Sequence, residues 1–121
     1  MAEIFVSVTV RQDRQARFQL ENFKDSLGRP AVTDGGIQGI ATESGAAEVV
    51  ADTDADPSGL QVVVKSDLSA TEFPSLSVVR SFIDTRVGED VNPLEVVFSV
   101  TTIPAEAQTA DVRSLGDEPR A

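Results

Sequence analysis

The chain has 121 residues, one domain's worth, with 40% hydrophobic residues, 5% aromatic residues, no Cys, no His, no Trp and no Tyr. A chain of this length buries roughly two thirds of its unfolded surface and stands without a disulfide or metal staple. Without Cys there is no disulfide, Cys-ligated zinc or thiol nucleophile, without His the commonest general base and transition-metal ligand are gone, and a net charge of −10 repels nucleic-acid phosphates and anionic membrane faces.

The apolar positions are mostly Val, with abundant Thr and Ser, a composition that suits a pleated, half-buried surface because β-branched side chains are stiff at χ1. Residues 3 to 10 alternate, Ile4, Val6, Val8 and Val10 on one side and Phe5, Ser7 and Thr9 on the other, and predict a first strand. RQDR at 11 to 14 predicts a turn, and Ala16, Phe18 and Leu20 alternating with Gln15, Arg17 and Gln19 a second strand. From Lys24 to Gly36 the phrases DSLGRP and TDGG predict mostly loop, since Gly supplies positive φ and Pro sets the chain direction.

Short strands are expected at Ile37 to Ala41, Glu48 to Ala51 and Leu60 to Lys65, each bounded by Gly, Asp, Ser or Pro. Residues 76 to 84 admit two strand faces, Leu76, Val78, Arg80 and Phe82 or Ser77, Val79, Ser81 and Ile83, with a helix starting at Pro74 as the competing reading. From Pro93 to Ile103, Leu94, Val96, Phe98 and Val100 alternate against Glu95, Val97, Ser99 and Thr101, and predict a further strand. Several short strands with turn signals between them predict an all-β sandwich of seven or eight strands over residues 1–103. After Pro104 the sequence becomes AEAQTADVRSLGDEPRA, too poor in apolar residues for a core, and residues 104–121 are read as a polar C-terminal arm that stays flexible or packs on a partner.

No apolar run reaches the roughly twenty residues needed to span a bilayer, and MAEIFVSVTV has no basic segment leading into a long apolar one, so neither a membrane span nor a Sec signal is expected. Asp52, Asp54 and Asp56 alternate on a loop, a pattern that can converge oxygens on calcium. The EF-hand phrase then needs Gly after the third Asp and Glu at the twelfth position, where this chain has Pro57 and Val63, and Asx-turns are the plainer reading. No metal or other cofactor is therefore expected. The chain has no aromatic platform for a sugar, no phosphate-binding Gly-rich loop and no base to activate its Ser and Thr, so no enzymatic activity and no small-molecule substrate are expected. Arg11, Arg14 and Arg17 concentrate positive charge in an otherwise acidic protein. They form either a solvated rim or a docking patch in which guanidiniums meet a partner's carboxylates.

Five phrases carry a family resemblance: Phe23 to Pro30 (FKDSLGRP), Ala47 to Asp52 (AEVVAD), Asp56 to Leu60 (DPSGL), Gly88 to Leu94 followed by Val96 to Thr101, and Pro104 to Ala107. In this order they resemble the bacterial Ig-like domains, particularly the stand-alone copies among phage structural proteins. The Trp of that family's central strand is absent here, the stretch near Ile37 to Ile40 taking its place. The resemblance implies a phage virion protein, most concretely a capsid decoration or cement protein bound to the major capsid protein and to copies of itself. A carbohydrate- or cell-surface-binding module and a minor tail or head-completion protein are the alternatives.

Overall fold

The computed structural model describes residues 2–121, which form eight strands and no helix. They are β1 (Ala2–Arg11), β2 (Gln15–Gln19), β3 (Val32–Thr33), β4 (Gln38–Ser44), β5 (Glu48–Ala51), β6 (Gln61–Lys65), β7 (Ser75–Val87) and β8 (Asp90–Ile103). One sheet runs β1-β8-β7-β3 with β4 also on β7, and the other runs β2-β6-β5. The two sheets pack face to face as the expected all-β sandwich. Strands 2, 5 and 6 oppose strands 4, 7 and 8, as in immunoglobulin-like sandwiches, and the first strand lies parallel on the last.

The core is aliphatic: Val62, Val64, Val79, Ile83, Val96, Phe98 and Val100 are wholly buried, and Val8, Val10, Ile37 and Val49 nearly so. The inward faces of β1 and β8 are those the alternation predicts. On β7 the inward face is Ser77, Val79, Ser81, Ile83 and Thr85, which leaves Leu76 58% exposed. The buried hydroxyls are tolerated because each has a backbone partner. Ser81 Oγ donates to Val96 O at 3.0 Å, Thr85 Oγ1 donates to Asn92 O at 2.8 Å, and Ser77 Oγ accepts from Ala47 N at 3.2 Å. Among the described residues no buried side-chain nitrogen or oxygen lacks a partner.

Strand lengths set the shape of the two ends. β7 and β8 have 13 and 14 residues while β2 and β6 have 5 each, so at about 3.3 Å per residue the long hairpin overhangs the short sheet by more than half its length. The short sheet covers the end of the hairpin that holds Ser75 and Ile103, where Asp67 N donates to Thr102 Oγ1 at 2.9 Å. At the opposite end the hairpin closes through the two residues Gly88 and Glu89, with Val87 opposite Asp90 and Gly88 at φ 65°, the positive φ that a two-residue hairpin of this twist demands at its first position. There the loop from Leu20 to Ala31 lies alongside the start of β1 and the hairpin. Among the described residues no helix is long and apolar enough to cross a membrane.

Candidate functional site

Four surface features stand out from the packed body, and the first is the outer strand of the large sheet. β1 pairs with β8 in unbroken parallel register from Ala2 opposite Leu94 to Arg11 opposite Ile103, and among the described residues no strand pairs with its other side. None of residues 2–10 enters the turn and loop backbone hydrogen bonds of the described chain; the first to do so is Arg11, whose carbonyl accepts from Arg14 N at 2.9 Å. Phe5 stands 68% exposed on the outer face beside Val97, which is only 3% exposed.

The second feature is the open end left by the overhang. A groove of about 990 Å³ lies between the start of β1, the Leu20–Ala31 loop and the β7–β8 hairpin. Its apolar surface comes from Ile4, Leu20, Phe23, Val87 and Leu94, of which Leu20, Phe23 and Leu94 also pack on the core.

The opposite end is closed by hydrogen bonds. Gln12 Nε2 donates to the carbonyls of Asp67, Leu68 and Ala70 at 3.1, 3.2 and 3.0 Å, and Gln12 O accepts from Ser66 Oγ at 2.6 Å. Asp67, 5% exposed, accepts from both Ser69 N (2.9 Å) and Ser69 Oγ (2.5 Å). The hydroxyl and amide of Ser69 together hold this carboxyl below the usual carboxylate range. A smaller depression of about 510 Å³ lies over these residues, lined also by Arg14, Glu48 and Lys65.

The fourth feature is the arm. β8 ends at Ile103, and every residue from Pro104 to Ala121 is exposed, with Val112 at 97% and Leu115 at 87%. The arm's ion pair with the body is Arg11 Nη1 to Glu106 Oε2 at 3.8 Å.

The three arginines singled out from the sequence make different contacts. Arg11 forks onto Asp13, with Nε to Oδ1 at 3.1 Å and Nη2 to Oδ2 at 2.9 Å. Arg17 lies on β2 in the other sheet and reaches Asp52 Oδ2 at 2.6 Å and Gln61 Oε1 at 2.8 Å. Arg14, exposed in the turn between β1 and β2, makes no ion pair among the described residues.

Two of the three aspartates of the 52 to 56 loop, Asp52 and Asp56, are held by chain partners. Asp52 Oδ1 caps Ala55 N at 3.0 Å while its Oδ2 takes Arg17. Asp56 Oδ1 accepts from Ser58 N and Oγ, and its Oδ2 from Gln19 at 3.1 Å. Arg17 lowers the affinity of Asp52 for a proton, and Ser58 and then Gln19 do the same for Asp56. Asp54 is exposed, and among the described residues no three acidic side chains gather as a metal site. The loop is built by Asx-type turns and an interstrand ion pair.

The described residues define an all-β sandwich of two sheets. No protein family, curated protein or solved structure matches the chain.

Proposed function

We propose that this protein is a non-enzymatic structural subunit that works by burying surface against other proteins, and, following its resemblance to the Ig-like domains of phage particles, that it decorates the outer face of a capsid. The observation that carries the reading is the arm: eighteen residues from Pro104 to Ala121 leave the sandwich with Val112 and Leu115 almost fully exposed. Bare aliphatic side chains on an otherwise polar segment gain free energy only when something covers them. Ordering such a segment costs about 1 kcal/mol per residue, which a neighbouring surface must offset. The rigid body would present the arm, and its acidic surface facing outward would keep particles apart in solution.

Quantifying this chain in purified particles of the virus that encodes it tests the proposal. A copy number comparable to that of the major capsid subunit is the expected result. A few copies per particle would move the reading to a tail or head-completion role, and none would overturn the virion assignment. Removal of residues 104–121 should release the protein from the particle while its melting temperature stays unchanged. Retention of the truncated chain at full occupancy would overturn the role given to the arm.

A further inference from the structure

The open edge of β1 is ten residues long, in continuous register with β8, and has no Pro, Gly or Lys within it. Exposed edges of this kind offer a row of unpaired backbone N–H and C=O groups to any second strand, and proteins that remain monomeric usually blunt them with a bulge, a proline, a lysine or short length. We propose that β1 is a homodimerisation strand: two copies of this chain pair antiparallel along their β1 edges, Ser7 meeting Ser7 of the second copy on a two-fold axis.

The register follows from two constraints. A two-fold axis between identical strands makes them antiparallel, and the core face of one strand must continue into the core face of the other, because a slip of one residue turns every side chain over. Only pairings between residues of like parity meet the second condition. Among these, the pairing centred on Ser7 sets Glu3 opposite Arg11 of the second copy and Arg11 opposite its Glu3, so both ends of the junction carry opposite charges. Inside, Ile4 meets Val10 and Val6 meets Val8, and outside, Phe5 meets Thr9.

The local electrostatics favour this partner. Glu3 stands beside Glu95 on β8, and Glu95 is already taken by Arg80, so a cation supplied from across the edge relieves a like-charge neighbour. Arg11 holds Asp13 through Nε and Nη2, and its Nη1 has only the exposed Glu106 at 3.8 Å. Ile4 at 39% and Phe5 at 68% exposed gain cover from the second copy. The dyad also places the root of each arm, beside Arg11, next to Ala2 to Ile4 of the other copy, where the apolar groove opens.

The inference concerns the chain alone and stands or falls apart from the virion reading, since mass in solution tests the one and copies per particle the other. Two chains of net charge −10 repel at long range, so the measurement belongs at about 0.15 M salt, where the screening length is ~8 Å. Sedimentation equilibrium of the full chain should show a concentration-dependent rise from 12.8 kDa to twice that mass.

Glu3→Arg and Arg11→Glu should each weaken the dimer ~10-fold or more, by turning two attractions into repulsions. An equimolar mixture of the two variants should restore association, because both junctions of the mixed dimer then set a guanidinium of one variant opposite a carboxylate of the other. Circular dichroism melts of each variant verify that the sandwich is intact. The chain has no cysteine, so Ser7→Cys adds a single thiol, and it should form an interchain disulfide on mild oxidation where Phe5→Cys does not. A native chain that stays at monomer mass at every concentration, a mixture no tighter than its components, or cross-linking at Phe5→Cys and not at Ser7→Cys would each overturn the proposal.

Discussion

Along one edge of the large sheet, β1 runs ten residues without a break in register and without a tie to any other element on its outer side. Along the other edge the chain is divided and pinned. β3 has two residues, and β4 pairs with β7 through two register shifts and carries Gly39 at φ 60°. Three side-chain ties cross that edge: Arg80 Nε to Glu43 at 2.8 Å, Arg86 Nη2 to Asp34 at 2.8 Å and Gln38 Nε2 to Asp84 at 3.2 Å. Bulges, brevity and inter-strand ion pairs are the means by which an edge is withdrawn from further pairing. One edge is thus closed by construction and the other left available, a difference that no composition reveals.

Variants that alter the closed edge should have the largest effects on stability. Gly45, at φ 73° beyond β4, sits so close to β7 that a Cβ would lie 2.8 Å from Ser77 Cα. Because backbone cannot swing aside, Gly45→Ala should cost about 2–4 kcal/mol in a denaturant unfolding experiment. Gly39→Ala should cost less, about 1–3 kcal/mol, since the atoms met there belong to the Phe82 ring, Cε1 first and Cδ1 at 2.8 Å, and a ring can move. An equal or reversed order would mean that the close approach of β4 to β7 does not hold that edge.

Between the two edges in size of effect stands Gln12, which anchors the end of β1 by sharing two amide protons among three carbonyls. Gln12→Ala should destabilise by about 1–2 kcal/mol, and hydrogen exchange should rise first at Asp67 to Ala70.

The acid limb of stability sharpens the same region. The carboxyl of Asp67 titrates below its ordinary range in the folded chain, through Ser69. A depressed folded pKa contributes stability that is present above the unfolded value near 3.9 and is lost as pH falls through the folded one. The melting temperature should therefore fall as pH drops below about 4. Asp67→Asn should melt lower than the native chain at neutral pH and converge with it as the pH falls through the lowered pKa of the folded carboxyl. Parallel curves would remove Asp67 from the acid response.

The smallest effect belongs to the open edge. Phe5→Thr exchanges an exposed ring for a good strand former and should change monomer stability by within about 0.5 kcal/mol, while reducing association in the sedimentation measurement. A large loss of monomer stability would show that Phe5 serves the fold, chiefly by covering Val97.

Much of the fold was legible because alternation is a local property. The inward residues Val8, Val10, Val96, Phe98 and Val100 follow from a period of two, and the short strands β5 and β6 from their bounding Gly, Asp and Pro. The faces of β7 were not legible, since Leu76, Val78 and Phe82 make the more apolar row and yet lie outward. Small buried hydroxyls were selected by backbone partners on neighbouring strands and by the close approach of Gly45 and Ala47 to Ser77. The segment read as mostly loop from Lys24 to Gly36 holds the two residues of β3, too short to leave a periodic signal. β8 begins before Pro93, which pairs with Asp84 of β7, a proline near the start of a strand being tolerated where its missing N–H costs no ladder bond.

Of the site residues, Asp52, Asp54, Asp56, Arg11, Arg14 and Arg17 were visible as clusters in sequence, whereas their partners Asp13, Gln19, Ser58 and Gln61 were assigned only by folding. Gln12 carried no signal at all.

The sequence by itself determined an all-β chain with an aliphatic core, a polar arm from Pro104, and a first strand alternating over residues 3 to 10. Tertiary structure alone decided that this strand is an edge, that the long hairpin overhangs the short sheet and opens a groove, and that two of the three arginines are neutralised at home. The reason is physical. Alternation depends on neighbours along the chain, but an edge or a groove exists only relative to strands more than fifty residues away, whose pairing the global topology chooses.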